Sequence, residues 1–495
     1  MKYQSTRNKD LTASAAEAIL NGLAPDGGLY ALPDLKKIRV DRDCLLKKDI
    51  YGMASELLAL LLPSFDREET ERIVRRSYEG KFETEDITPT VAVGEDTVLE
   101  LFRGPTAAFK DVALSALPNL MSEARKKCGF DGEILILTAT SGDTGKAAME
   151  GFRDVPGTNI AVFYPKDGVS DVQRAQMATQ EGKNVHVFAV KGNFDDAQRE
   201  VKRIFEKYSG NGPAAGVRLS SANSINVGRL APQTVYYFKA YADILKRGII
   251  RSGERVDFCV PTGNFGNILA GFLAREMGLP VGRLICASNA NNVLTDFILS
   301  GRYDRNRPFY KTLSPSMDIL VSSNLERLLF CLGAGEETVA RLMRELSEKG
   351  SFDAPQDITE KMRAVFSCAW CSDRDTVGTI GEVWRRHEYL CDTHTAVAFH
   401  AAQEYKKRNP DHGHVVVLST ASPFKFPAAV LEGLGVKASG DGAELMRRLS
   451  EQTGSPVPES LAGIGSLPER HSLVINKEET ESCVLRIADR IASGR

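Results

Sequence analysis

The 495-residue chain reads as an α/β protein built on mostly parallel sheets. Short apolar runs recur along it, helical stretches separate them, and polar Gly/Ser/Thr/Asn loops follow several of the runs. Strands alternating with helices imply βαβ units and parallel pairing. Parallel strands are covered on both faces, so they are apolar throughout instead of alternating. At this length two or three domains are expected.

Residues from about Ser14 to Tyr78 read as helical, broken by the turn Pro25-Asp-Gly-Gly28. Glycine and proline are the turn-forming residues there. The longest apolar run, near Leu57–Leu62, ends at Pro63 and is flanked by charge. It is too short to span a bilayer and reads as a buried helix. Ile134–Thr138, Ile160–Tyr164, Val185–Val190, Val256–Val260, Leu284–Ala287 and Val415–Leu418 read as strands. Helices are expected after two of them, over Lys146–Phe152 and Ile268–Met277. The interval from about Leu320 to Lys407 reads as a helical insertion or layer. The expected organisation is a mainly helical domain over 1–95, a segment over 96–130, a smaller α/β domain over 131–245 and a larger one over 246–495 that carries the insertion.

Composition is 42% hydrophobic and 26% charged, with a net charge of -2. That balance fits a globular chain. It lacks the basic excess that nucleic acid or an anionic membrane would favour, so neither is expected as a partner. The segment Met1–Arg7 shows neither an apolar signal core nor a transit pattern. Nine cysteines, an odd number, fit reduced thiols, and a cytoplasmic location is expected. Cys368 and Cys371 form one close pair, with His387, Cys391 and His394 following. No second pair stands at ligand spacing, and the pair reads as part of a helix, so ordinary thiols and no metal are expected.

Four loops carry chemistry. Thr138-Ala-Thr-Ser-Gly-Asp-Thr-Gly-Lys146 follows a strand and opens a helix, where unpaired N–H groups suit an anion. It is not a nucleotide P-loop: Thr140 stands where that motif needs glycine, and Ala147 where it needs Ser or Thr. Pro261-Thr-Gly-Asn-Phe-Gly-Asn267 also joins a strand to a helix. Its glycines allow close backbone approach, and its helix start forms a phosphate cradle. It lacks the dinucleotide fingerprint. Ser220–Asn226 is dense in small polar residues and precedes Arg229, a side chain suited to bidentate phosphate or carboxylate contacts. Thr420 follows the last strand. Upstream, Leu101-Phe-Arg-Gly-Pro-Thr-Ala-Ala-Phe-Lys-Asp111 sets Lys110 between an aromatic residue and a carboxylate after a Gly-Pro turn. Lysine is the residue that forms a Schiff base with a cofactor aldehyde. With the two anion loops, Lys110 points to a covalent cofactor site.

This set resembles the threonine synthases, pyridoxal-phosphate enzymes of the tryptophan-synthase-β-like fold. The resemblance rests on Gly104–Asp111, Thr140–Gly145, Asn223–Asn226 with Arg229, and Thr262–Asn267; Lys2–Arg7 and Gly22–Tyr30 resemble the N-terminal segment of the longer-chain members. It implies fold type II: two open, mostly parallel sheets with helices on both faces, an N-terminal helical segment and a helical insertion. It implies pyridoxal 5'-phosphate as cofactor, Lys110 as its Schiff-base lysine, and Gly263, Asn264, Phe265, Gly266 and Asn267 around its phosphate, with Thr420 facing the pyridine nitrogen. Thr140, Ser141, Asp143, Thr144, Ser224, Asn226 and Arg229 are implied around O-phospho-L-homoserine, the small-molecule substrate. A monomer or homodimer is implied. The chain departs from the common pattern at Ser422, Phe424 and Thr393, the first two expected beside the cofactor ring. The implied reaction turns O-phospho-L-homoserine and water into L-threonine and phosphate. The rival readings are a phospho-lyase giving 2-oxobutanoate, a serine or threonine dehydratase, and a non-catalytic homologue.

Overall fold

The computed structural model describes residues 1–208 and 212–494. At the N-terminus Tyr3–Ser5 pairs antiparallel with Thr12–Ala13 and Tyr30–Ala31. Helices Ala15–Asn21, Ile50–Leu61 and Arg67–Tyr78 follow the expected helical region. Two of them start in capping boxes, Ser14 with Glu17 and Asp66 with Glu69. Such reciprocal pairs satisfy amide groups that a helix start leaves open.

The larger sheet has six strands in the order Phe366–Trp370, Val281–Ser288, Val256–Pro261, His414–Ser419, Asp96–Glu100, Thr90–Val93. All pair in parallel except the terminal Thr90–Glu100 hairpin. The smaller sheet has five parallel strands in the order Val474–Asn476, Val185–Lys191, Thr158–Pro165, Glu133–Ala139, Val217–Ser221. Helix Lys110–Lys127 packs against Ala15–Asn21 and Asp143–Phe152. It thereby joins the N-terminal region to the smaller sheet.

Every apolar run expected to be a strand lies in one of the two sheets. Three placements differ from the expected divisions. Thr90–Val93 lies inside the 1–95 stretch yet forms an edge of the larger sheet, because its neighbour Asp96–Glu100 folds back on it. Phe366–Trp370 lies inside the helical interval yet is the opposite edge strand, and it carries Cys368 on a strand instead of a helix. The C-terminal Val474–Asn476 strand pairs with Val185–Lys191, so the chain end returns to the smaller sheet although the larger domain was expected to hold it. Among the described residues no helix is long and apolar enough to cross a membrane.

Candidate active site

The polar loops converge because each leaves the carboxyl end of a parallel strand, where open α/β sheets place their ligand crevices. They surround a cavity with an empty volume of about 690 Å³.

One wall carries the lysine. Asp111 accepts hydrogen bonds from Thr106 N (2.9 Å), Thr106 Oγ1 (2.5 Å) and Ala108 N (3.4 Å), and so ties down the turn before the helix. Burial pushes its carboxyl up to about 6. A Cβ on Gly104 would sit 2.5 Å from the Asp111 Cβ, so this turn requires glycine. The turn is also fastened to the end of the central strand: Phe109 N donates to Thr420 O (2.8 Å) and Ser422 N to Ala107 O (3.0 Å). Lys110 thus starts its helix in the cavity wall, with Nζ 4.4 Å from the Phe109 ring centroid. Its Nζ lies 3.5 Å from Asp143 Oδ2. Burial lowers the Lys110 amine to about 8 against the opposing pull of Asp143; Lys425 and Arg229 push the same way as burial.

Asp143 is the charge centre of this wall. Its Oδ1 receives Lys425 Nζ (2.7 Å) and Gln173 Nε2 (2.8 Å), and its Oδ2 receives Ser316 Oγ (3.0 Å). Burial alone would raise its proton affinity, but Lys425 and Lys110 outweigh burial and hold the carboxyl well below the usual range.

The facing wall leaves donors open. Phe265 adopts a left-handed backbone (φ 63°), and the helix Gly266–Glu276 begins behind it. Leu269 N makes the first helical bond, to Phe265 O, so the preceding N–H groups have no helical acceptor. Tyr236 and Tyr237 hydroxyls donate to Asn267 Oδ1 at 2.7 and 2.9 Å. That fixes the amide and leaves its buried Nδ2 without a partner among the described residues. Arg229 is 2% exposed. Its Nη1 donates to Ala222 O (2.5 Å), and its Nε has no partner among the described residues. Burial pushes this guanidinium down to about 10. Buried donors and an unpaired buried cation are costly unless a ligand completes them. Two such groups on one cavity fit anionic guests, and a lysine opposite them fits an aldehyde cofactor that bears a phosphate.

The third wall is built on His394 and Ser316. Ser316 N donates to His394 Nε2 (3.2 Å), which leaves the ring proton on Nδ1, donated to Asp392 Oδ2 (2.6 Å). Asp392 also caps its helix through His394 N and Thr395 N. The cap and the placement of His394 in the cavity wall are therefore one arrangement. The Ser316–Met317 backbone lies so close to Gly263 that a Cβ there would sit 2.9 Å from Ser316 O.

Of the residues expected around a ligand, Lys110, Gly263, Asn264, Phe265, Gly266, Asn267, Thr420, Asp143, Thr144, Ser224 and Arg229 line the cavity. Thr140, Ser141 and Asn226 do not. Thr140 Oγ1 accepts from Gly142 N (3.0 Å) and Gly145 N (2.8 Å) and so shapes its own loop. Asn226 donates to Ile19 O and Ser221 O and accepts from Gly228 N, a structural cap with nothing left for a ligand. Asp143 faces two lysines, a poor receptor for an anionic substrate. Ser422 and Phe424 were expected beside the cofactor ring, but neither lines the cavity. Ser422 caps the short turn ahead of Lys425, and Phe424 packs in the core. Sequence reasoning missed Gln233, Ser316 and Met317 as lining residues. Asp392 two residues before His394 is a cap pattern at a helix start, and it is the sequence signal that bears on that wall. Cys368 and Cys371 are buried, with thiols pushed up to about 11 and about 12 by burial. Among the described residues no group of three or more His, Cys, Asp or Glu is placed to hold a metal.

Family models match three parts, the last two overlapping: "Threonine synthase N terminus" over 2–78, "Pyridoxal-phosphate dependent enzyme" over 98–421, and "Threonine synthase, C-terminal" over 395–484. Threonine synthase from Pseudomonas aeruginosa is 38% identical over 95% of this chain and 98% of its own. The crystal structure of PLP-bound threonine synthase from Brucella melitensis is 35% identical, with TM-score 0.82 over 99% of each chain. That of threonine synthase from yeast is 32% identical, with TM-score 0.86 over 100% of this chain and 99% of its own.

Proposed function

The chain belongs to the threonine synthase family of pyridoxal-phosphate-dependent enzymes, and on that premise we propose how its cavity converts O-phospho-L-homoserine and water to L-threonine and phosphate. The observation that supports this reading is a buried lysine that faces, across one cavity, anion donors with no partner among the described residues. Lys110 would hold the cofactor through its amine. The helix start at Gly266–Asn267 and the free Asn267 Nδ2 would hold the cofactor phosphate, with Thr420 at the ring. Bound there, the cofactor supplies an electron sink for charge developing at the substrate Cα.

The chain's own residues do the rest. Arg229 and Ser224 would grip the substrate's phosphate or carboxylate. A buried guanidinium acts on a departing phosphate where water does not screen it. Lys110, once free, would take the proton from Cα, since an amine near neutrality is a competent base. It lies within one flexible side chain of Cβ and Cγ as well, so it would remove the Cβ proton as phosphate leaves Cγ and then return a proton to Cγ. Water then adds its hydroxyl at Cβ, and a proton returns to Cα to give threonine. The balance is one water consumed and one phosphate released per threonine.

Purified protein given O-phospho-L-homoserine should release phosphate and threonine in equal amounts. Release of 2-oxobutanoate and ammonia in place of threonine would assign the cavity to a phospho-lyase.

A further inference from the structure

We infer that Lys425 is a positioning residue for the reaction: by occupying Asp143 it keeps that carboxylate from holding the Lys110 amine in its charged form. The inference rests on the reading of Lys110 as the cofactor-bearing base. Lys425 is wholly buried. It comes from the turn Pro423–Lys425 that follows the central strand of the larger sheet, whereas Asp143 starts the helix Asp143–Phe152 of the smaller one. Its Nζ also donates to Thr106 O (3.1 Å), inside the turn that presents Lys110. Ser170 Oγ holds its backbone carbonyl (3.1 Å).

The geometry is asymmetric. Lys425 Nζ stands 2.7 Å from Asp143 Oδ1, and Lys110 Nζ stands 3.5 Å from Oδ2. The nearer oxygen is committed to Lys425 and Gln173, and the farther one is shared with Ser316. The charged groups that face Lys110 are Asp143 from the smaller domain, Lys425 from the turn after the central strand, and Arg229 from the helix Val227–Leu230. His394 reaches this centre through Ser316, whose N donates to the ring and whose Oγ donates to Asp143 Oδ2. Asp111, next in the Lys110 helix, is turned away into the Gly104–Ala108 turn. A lone buried carboxylate beside a lysine stabilises the ammonium. A second lysine on that carboxylate cancels much of this effect. An amine that must take protons from carbon needs the cancellation, because an ammonium has no lone pair to offer.

The test uses the full-length protein, freed of cofactor by dialysis, and competitive acetylation of Lys110 across pH, read by peptide mass spectrometry. In the wild type the reaction midpoint should lie below the ordinary lysine value of about 10.4. Lys425→Met should raise it by roughly 1 to 3 pH units, the scale of a single charge contact. Lys425→Arg should leave it in place, and adding Asp143→Asn to Lys425→Met should bring it back down. In the loaded enzyme, the acid limb of the kcat/KM profile should move upward with Lys425→Met. A purely structural role would lower the whole profile without moving the limb. A folded Lys425→Met protein with the wild-type midpoint overturns the inference. So does a wild-type midpoint at or above the ordinary lysine value, a result that needs no variant. Finding the cofactor on another lysine would refute the role of Lys110 but would leave these midpoints unchanged, so the two failures are distinguishable.

Discussion

Arg229 and Lys425 are both buried cations beside one cavity, yet Lys425 lies 2.7 Å from a carboxylate while Arg229, among the described residues, has only the Ala222 carbonyl and a partnerless Nε. The wall around Lys110 neutralises its charges internally, so that an amine can exchange protons. The wall around Arg229 and Asn267 leaves its donors incomplete, so that only an anion completes them. The difference separates acid–base chemistry from anion binding within a single pocket. It also separates groups that sustain the fold from groups that cost it stability until a ligand arrives.

The largest effect on this contrast is expected from Arg229→Met. Removing one partner of a buried charge contact costs about 2–5 kcal/mol of binding, which is a KM for O-phospho-L-homoserine raised by roughly 30-fold or more. Without ligand, the variant should be no less stable than the wild type, because an unpaired buried charge has been removed. Inorganic phosphate should raise the thermal midpoint of the wild type and not of the variant. A loss of stability with unchanged KM would place Arg229 among the structural residues and remove the contrast.

The smallest effect is expected three residues earlier in the same segment. Asn226→Ala should lower unfolding stability by about 1–3 kcal/mol, through a lost cap and two stranded carbonyls. Its KM should stay at the wild-type value, since nothing in Asn226 is left over for substrate. A raised KM at wild-type stability would show that the segment binds substrate along its whole length.

Asn226 and Arg229 also mark the limit of what the sequence discloses. Strands such as Ile134–Thr138 were legible because apolar runs bounded by turns have few alternatives in a chain of this length. The loops were legible because they follow those strands. Phe366–Trp370 was not, since a short edge strand between two helices lacks the flanking turn signals. Within the loops, Thr140, Asn226, Asn267 and Ser224 are chemically alike. Whether such a side chain caps its own backbone or faces the cavity depends on partners distant in the sequence. Asn267 stays open because Tyr236 and Tyr237 claim its oxygen. Asn226 is closed because Ile19 and Ser221 carbonyls claim its nitrogen. Ser316 escaped notice for the same reason: its partners Asp143 and His394 lie far away in the chain.

Lys110 is the residue read as carrying the cofactor, and borohydride reduction of the purified enzyme tests that role most directly. Reduction followed by peptide mapping should place a phosphopyridoxyl group on the peptide containing Lys110, and Lys110→Ala should lose both that adduct and phosphate release. An adduct on any other lysine, or turnover retained in Lys110→Ala, would contradict the account.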